Sequence, residues 1–502
     1  MEFPPILVGP EFSPSSAPGS FPVPTDLGIP ARPRRRTQAV IARYDSARTT
    51  AENRRHWANA DGRSAKSAND AETRRLLRTR ARYEAAENNS WAWGMVHTLA
   101  NDTIGTGPRL QLLTEDPDLN RRVERAFKAW CDAVGLAEKL TVMRQARAID
   151  GEAFAKLITN RRLPTAVQLD LNLIEADQVA TPDLDPVATN AVDGIVFDEF
   201  TNPVEYHVLD SHPGDTYHLG LEYDRIDARF MLHWFRRIRP GQVRGIPDIT
   251  PALDLFAELR RYRKAVLAAA ETAADFAAVL YSDAPPDTDG DDGSLAGETF
   301  EIERRVMTTL PAGWKMGQFK AEQPTTTYVE FVKALLNEIA RCLNMPLNVA
   351  LGNSSGYNYA SGRLDHQVYF KSIRVDQAHA GRVLLDRIFM AWLENAWIVT
   401  DLLPAEPRGL EEWPHLWLWD EAEHVDPTKE ATAQETRLRN LMTSFSEECQ
   451  RQGVDPEMRA QTIAKDRSLF GKYGIPLPSA WSPTVSPQSP PGGSNADQSD
   501  EE

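Results

Sequence analysis

Four histidines, His207, His212, His218 and His233, fall in one short stretch of the chain. Such a group could hold a metal and activate water, but the spacings match no zinc site and the histidines sit among strand-forming residues, so no metal is expected. Asp150 with Glu152 offers paired carboxylates for acid–base work, and the run from Asp283 to Asp292 offers a calcium loop. The run lacks the D-x-[DN]-x-[DN]-G-x5-E spacing, and both groups read as solvated loop carboxylates. Ser354-Ser355-Gly356 is not a G-x-S-x-G elbow and follows a helix instead of a strand. Gly105 and Gly107 lie in Ile104-Gly-Thr-Gly-Pro108 as turn formers, and the phosphate-loop pattern GxxxxGK[ST] occurs nowhere in the chain. The residue types therefore point away from catalysis, and neither ATPase nor nuclease activity nor a cofactor is expected.

A different kind of chemistry is open to Leu351–Ser361, which holds two glycines with asparagines and serines and no lysine or arginine. Its backbone can adjust, and its polar groups are neutral. Two helices must position it: one over Thr327–Leu343, with Tyr328, Phe331, Leu335, Ile339 and Cys342 on one stripe and an end at Asn344, and a long one over Gly362–Asp401, with Leu364, Val368, Ile373, Val383, Leu384, Ile388 and Trp392. An earlier helix starts at Thr250-Pro251, where the threonine can cap and the proline needs no N–H partner. Leu255, Leu259, Tyr262, Val266, Ala269, Ala273, Phe276 and Leu280 carry its period to about Tyr281. Its alanine-rich half, Ala265–Ala278, either lets a neighbouring backbone approach closely or reflects helix propensity alone. Between the two stem-like helices, strand-forming pieces occur around Phe300-Glu-Ile and from Trp314 to Phe319.

With these elements in place the chain resembles the lambda-like family of tailed-phage portal proteins. The resemblance rests on Trp234-Phe-Arg-Arg-Ile-Arg-Pro-Gly-Gln-Val-Arg-Gly-Ile-Pro247 and on Asn358-Tyr-Ala-Ser-Gly-Arg363, with weaker echoes at Ile104-Gly-Thr-Gly107, Asp150-Gly-Glu-Ala-Phe154 and Ile174-Glu-Ala-Asp177. They occur in the family's order and span roughly residues 40–475. The resemblance implies an α+β, ring-forming portal fold with a mixed α/β wing, a long-helix stem, a small α/β clip and a helical crown. It divides the chain into an arm (1–36), wing (37–247), first stem helix (248–281), clip (282–326), second stem helix (327–344), tunnel loop (345–361), long helix and return to the wing (362–427), crown or wing–crown helices (428–475) and tail (476–502).

By the same resemblance the function is a conduit at one capsid vertex, through which a separate motor packages double-stranded DNA and through which the DNA later leaves. The implied partners are further copies in a ring, a dodecamer, with the terminase large subunit, a head-completion or connector protein and the major capsid or scaffold protein. The implied location is the virion, with the host cytoplasm during assembly. Asn353, Ser354, Ser355, Tyr357 and Asn358 are then the residues of the tunnel loop that face DNA, through neutral contacts weak enough to break as the duplex advances. Tyr357 and Tyr359 could touch the duplex or anchor the loop, with the anchor favoured for Tyr359 ahead of a helix cap at Ser361. Arg363 is assigned to a neighbouring carboxylate or carbonyl rather than to DNA. Ala269 and Ala273 are the expected packing positions against a neighbouring subunit. A mixed α/β enzyme, a hydrolase of unknown substrate, is the rival reading, favoured only by size and mixed secondary structure.

The rest of the chain bounds these expectations. Its 502 residues are too many for one compact core, and 41% hydrophobic with 25% charged residues is a globular composition without an apolar run long enough for a membrane span. A net charge of −16 argues against a surface that grips nucleic acid throughout; it suits either a wall along which DNA slides or plain solubility. Cys131, Cys342 and Cys449 are odd in number and far apart, so they read as buried reduced thiols. Met1-Glu-Phe-Pro-Pro lacks the features of a secretory signal, and no export is expected. Proline- and serine-rich composition predicts disorder at 1–31 and from Pro476 on; Arg32-Pro-Arg-Arg-Arg36 is either a contact for DNA or scaffold or a solvated patch. Ser46–Ala86 reads as polar, helical and arginine-rich, with Arg74, Arg75, Arg78, Arg80 and Arg82, and an apolar helix follows over Trp91–Leu99. Asp118–Ala148 gives two helices, strands follow at 154–159, 167–174, 194–197, 203–209, 217–219 and 231–234, and Thr428–Tyr473 is helical again. Trp413, Trp417 and Trp419 alternate as in a strand returning to the wing.

Overall fold

The computed structural model describes residues 50–51, 54–60, 62–65, 70–181, 190–215, 222–275, 279–282, 314–317, 327–420 and 427–476. The described residues up to Gly62 and those from Arg63 on belong to separate units, and the second carries every element below. The expectations for the arm, Asp283–Asp292, Phe300-Glu-Ile and 217–219 lie outside the described residues, as does nearly all of the tail.

The second unit opens with α1 (Ala71–Arg82), which runs on through a π turn over Tyr83–Asn88. Asn89 then caps α2 (Ser90–Ile104), and Gly105 stops it at φ 57°, a conformation open to glycine. After β1 (Arg109–Leu112), Asp116 caps α3 (Pro117–Val134) by accepting from the N–H groups of Asp118 (3.0 Å) and Leu119 (3.1 Å). Gly135 is left-handed and separates α3 from α4 (Leu136–Asp150). Val123, Phe127, Trp130, Leu140 and Met143, the apolar faces read from the sequence, are all buried.

Two antiparallel sheets follow. In one, β2 (Glu152–Thr159) lies between β3 (Leu169–Ile174) and β8 (Met231–Phe235), with Phe154 opposite both Ile174 and His233. The other is a meander of β4 (Ala191–Val192), β5 (Ile195–Phe197), β6 (Pro203–Leu209) and β7 (Tyr223–Asp227). Its β5–β6 turn is closed by Asp198, whose carboxylate accepts from the backbone of Phe200 and Asn202.

A 3-10 turn over Thr250–Ala252 leads into α5 (Leu253–Asp275). Thr250 caps nothing: its hydroxyl is buried without a hydrogen-bond partner, and the carbonyls of Pro247 and Ile249 start the turn. The helix also ends six residues before Tyr281, because Val279–Ser282 forms β9 and pairs with β10 (Trp314–Gly317). Backbone pairing with a strand far along the chain overrides the alanine-driven helix period there. The later strand expected from Trp314 is present, and its first four residues are described. On α5 the buried face is Leu253, Phe256 and Leu259, while Leu267 and Ala269 are exposed.

Next, α6 (Thr327–Arg341) buries Leu335, Leu336 and Ile339 but leaves Phe331 49% exposed. Asn344 adopts φ 54°, and Met345 N–H reaches back to the Ala340 carbonyl, a left-handed helix end of the kind expected at that asparagine. A short helix, α7 (Leu347–Leu351), precedes α8 (Tyr359–Ala380), a π turn over Gly381–Leu385 and α9 (Asp386–Val399). The long helix is therefore present, but Leu364 and Val368 do not lie on its buried stripe. They share an exposed face with Val375, and Tyr369 and Ile373 take the buried side.

Finally, β11 (His415–Leu418) pairs with β1, bringing the tryptophan-rich segment onto α3. Phe127 sits edge-on to both Phe389 and Trp392 at 5.3 Å. Such pairs contribute about 0.5–1.5 kcal/mol each beyond area burial. The chain closes with α10 (Pro427–Arg439), α11 (Phe445–Arg451) and α12 (Pro456–Tyr473), as the sequence predicts. All three cysteines are free; Cys449 is buried, whereas Cys131 and Cys342 are half-buried. Among the described residues no helix is long and apolar enough to cross a membrane.

Candidate functional site

The loop between α7 and α8 is shorter than the sequence suggests. Leu351 belongs to α7, Gly352 ends that helix at φ 60°, and α8 begins at Tyr359, so the connecting residues are 352–358. Ser361 is no cap, since Gly362 N–H already bonds the Asn358 carbonyl at 2.9 Å within the first turn. Asn353, Ser354, Ser355 and Asn358 are exposed, while Tyr357 is half-buried beside Gly362. The Asn353 carboxamide oxygen accepts from Ser355 N–H (2.9 Å) and folds the loop on itself. At the base, Asn348 Nδ2 bonds the His366 ring (2.9 Å), with Ser354 Oγ at 3.5 Å. Arg363 is exposed and makes no ion pair within the described chain. Of Tyr359 and Ala273 only the backbone is described. The loop is thus a neutral, glycine-hinged tip on a fixed helical base.

A second feature, which the sequence reading missed, centres on α1. Arg74, Arg78 and Arg82 recur at one-turn spacing on α1 and enter a cluster of carboxylates instead of facing water. Arg78 donates to the Asp150 carbonyl (3.0 Å), to Asp177 (2.8 Å) and to Glu152. Arg82 bonds Asp150 (2.7 Å) and Asp177 (2.8 Å), and Arg74 bonds Asp193. Arg244 completes the set: its Nε bonds Glu152 (2.9 Å), and its other donors reach the carbonyls of Val179 (3.0 Å) and Ala176 (3.3 Å). Asp150 and Glu152 are accordingly not solvated loop carboxylates. Glu152 is wholly buried, because four arginines match four acids and the site can stay dry.

The electrostatics follow from that matching. Burial pushes Glu152 up, yet Arg244 and Arg78 outweigh it and hold its carboxyl well below the ordinary range. At Asp150 burial wins over Arg82, and its carboxyl is raised. Burial lowers His233 despite its 3.0 Å contact with Glu152, so the ring stays neutral. A second buried group lies alongside: Asp376 accepts from Arg144 (3.1 Å), Arg147 (3.0 Å) and Arg236 (3.3 Å). These three offset its desolvation and bring its carboxyl down to about 2. Between the two groups, Gly151 and Gly245 touch backbone to backbone; a Cβ on Gly151 would overlap Ile246, and one on Gly245 the Gly151 carbonyl.

Chemically this arrangement clamps; every acid is paired, and no nucleophile and base converge on an open space. His207 pairs with Glu205, His212 with Glu175 and His233 with Glu152, so the three described histidines serve separate carboxylates. Among the described residues no group of three histidines, cysteines or acids could hold a metal. Sequence signals for the clamp did exist: a one-face arginine repeat in α1, and acids flanking Gly151 at the mouth of a strand.

Comparison with known proteins places these segments in a context. The profile described as "Phage portal protein, lambda family" matches residues 51–377. A protein named "Probable portal protein" from Halomonas phage phiHAP-1 is 29% identical over 488 residues, covering 89% of this chain and 90% of its own. Among solved structures, a chain of the "Neck of native GTA particle computed with C12 symmetry" is 14% identical, with TM-score 0.41 over 77% of this chain and 95% of its own. A chain of the "Virion of native gene transfer agent (GTA) particle" is 15% identical, with TM-score 0.42 over 81% of this chain and all of its own.

Proposed function

The chain belongs to the lambda family of phage portal proteins, and from that premise we propose that it forms a closed ring at one capsid vertex through which double-stranded DNA is packaged and later ejected. The observation that carries this reading is the family match across residues 51–377, which takes in the clamp, α5, α6, the 352–358 loop and most of α8. Twelve copies are proposed, each using α5 and α6 as a stem that carries the clip, the sheets as a wing and the C-terminal helices as a crown. The terminase large subunit docks on this ring during packaging, a connector protein replaces it afterwards, and the ring contacts the capsid or scaffold protein as it moves from host cytoplasm into the virion.

Surface pattern supports neighbours for the stem and for α8. Leu267, Val329, Phe331, Leu364, Val368 and Val375 are exposed in the single chain, an arrangement that a ring would cover. The 352–358 loop is assigned to the channel wall, with neutral contacts to passing phosphates, and the chain has no ATPase or nuclease activity of its own. Negative-stain images and mass photometry of the purified protein test the central claim. Closed rings near twelve times 56.1 kDa support it, and a persistent monomer at high concentration refutes it.

A further inference from the structure

A groove of about 310 Å3 lies between the Thr114–Leu119 corner that starts α3 and the 404–413 loop. Its size is at the lower end of the ~300–1,000 Å3 typical of binding clefts. Leu119 and Trp413 form a buried apolar floor with Pro404 and Ala405 beside them, and Glu115, Asp116, Glu406 and Glu412 form the rim. No lysine or arginine lines it. Asp116 is engaged as the α3 cap, and one Glu412 oxygen accepts from Arg408 N–H (3.2 Å). Glu115 and Glu406 are exposed and make no hydrogen bond or ion pair among the described residues.

A tryptophan-floored, proline-edged groove under carboxylates suits an extended proline segment that carries arginines. Proline pre-sets a left-handed extended helix that packs on aromatic faces, and guanidinium groups match carboxylates. This chain contains such a segment, Ile29-Pro-Ala-Arg-Pro-Arg-Arg-Arg36, outside the described residues. The stretch 37–49 that follows it could span roughly 45 Å when extended. We propose that residues 29–36 of a second copy dock in the groove, so that one copy's arginine arm latches onto the next. The latch adds to the ring reading a contact that requires only two copies side by side.

The test uses the full chain, with Ala31 replaced by photoreactive benzoylphenylalanine, in a mixture of 15N-labelled and unlabelled copies whose assembly state is read by mass photometry. Irradiation should join residue 31 to peptides containing 113–119 or 404–413, in heavy–light pairs that only a link between copies can give. Glu115→Lys with Glu406→Lys should cut the yield about tenfold, the effect of losing a close charge pair, and Arg32→Glu with Arg34→Glu should restore it. Links elsewhere, same-label pairs only, or a yield indifferent to these reversals would overturn the latch. If the mass distribution shows monomers alone, the ring reading fails separately, and a synthetic peptide of residues 29–37 added in trans decides the groove. Salt-sensitive binding lost in the Glu115→Lys, Glu406→Lys variant supports docking, and no binding overturns it.

Discussion

Glu152 shows how a single carboxylate can organise several segments, because Arg78, Arg244, His233 and the Gly245 N–H all converge on it. Removing it strands two buried guanidinium groups, so Glu152→Ala should cost about 3–5 kcal/mol, read as a lowered midpoint in urea. The pH dependence has a definite sign. Glu152 and Asp376 are both held below their ordinary values, so their stabilisation is present above about pH 4.5 and is lost as pH falls through their folded values, near 2 for Asp376. Glu124 behaves oppositely. Burial, reinforced by Asp455 and Glu457, raises it to about 7 against the Leu112 N–H it accepts at 2.6 Å. Its ionised form is the costly one, and native stability at this site grows as pH falls from about 7 to 4.5. Glu124→Gln should therefore stabilise by about 1 kcal/mol at pH 8, a figure discounted for its half-exposure, and by nothing at pH 4; paired melting curves at the two pH values check it.

At the scale of elements, the same substitution takes opposite signs at different glycines. Gly245→Ala forces a methyl into the Gly151 carbonyl and should destabilise by about 3 kcal/mol, whereas Gly94, mid-helix in α2 with open space around it, should gain about 0.5–1 kcal/mol as alanine; thermal melts of the two variants compare them directly. The 352–358 loop offers a functional counterpart. Ser355→Lys adds charge while leaving the Asn353 turn in place, and Asn353→Lys also opens that turn, so the double variant should slow packaging more than Ser355→Lys alone, with ring formation unchanged. Packaging at the unmodified rate across salt concentrations would remove the loop from the channel wall. Part of this layer was legible in the sequence: Asn344, two residues before Pro346, marks the end of α6 by local chemistry, and the two helices over 118–148 were read from their apolar faces. What was not legible needed a distant partner. Val279–Tyr281 reads as helix until Trp314–Gly317 pairs with it, and the α1 arginines read only as part of a polar helix until four acids from other segments bury them.

At the scale of the whole molecule, the exposed half of α5 is where a single chain and an assembly should part ways. Ala269 is exposed, so Ala269→Trp should leave the melting temperature of the isolated chain nearly unchanged yet reduce the ring fraction severalfold by mass photometry, if its face meets a neighbour. Rings at the unmodified yield would place that face toward solvent or the channel. The π turn at Gly381–Leu385 bears on the same geometry. A π turn holds one residue more than an α turn, and successive residues point about 100° apart. The rod from Tyr359 to Val399 is therefore two screws cut out of phase. Its inner half is bolted by Ile388, Phe389 and Trp392, while the half that carries the loop takes its bearing from the offset. In such a rod, a change of one residue in length becomes a change of aim.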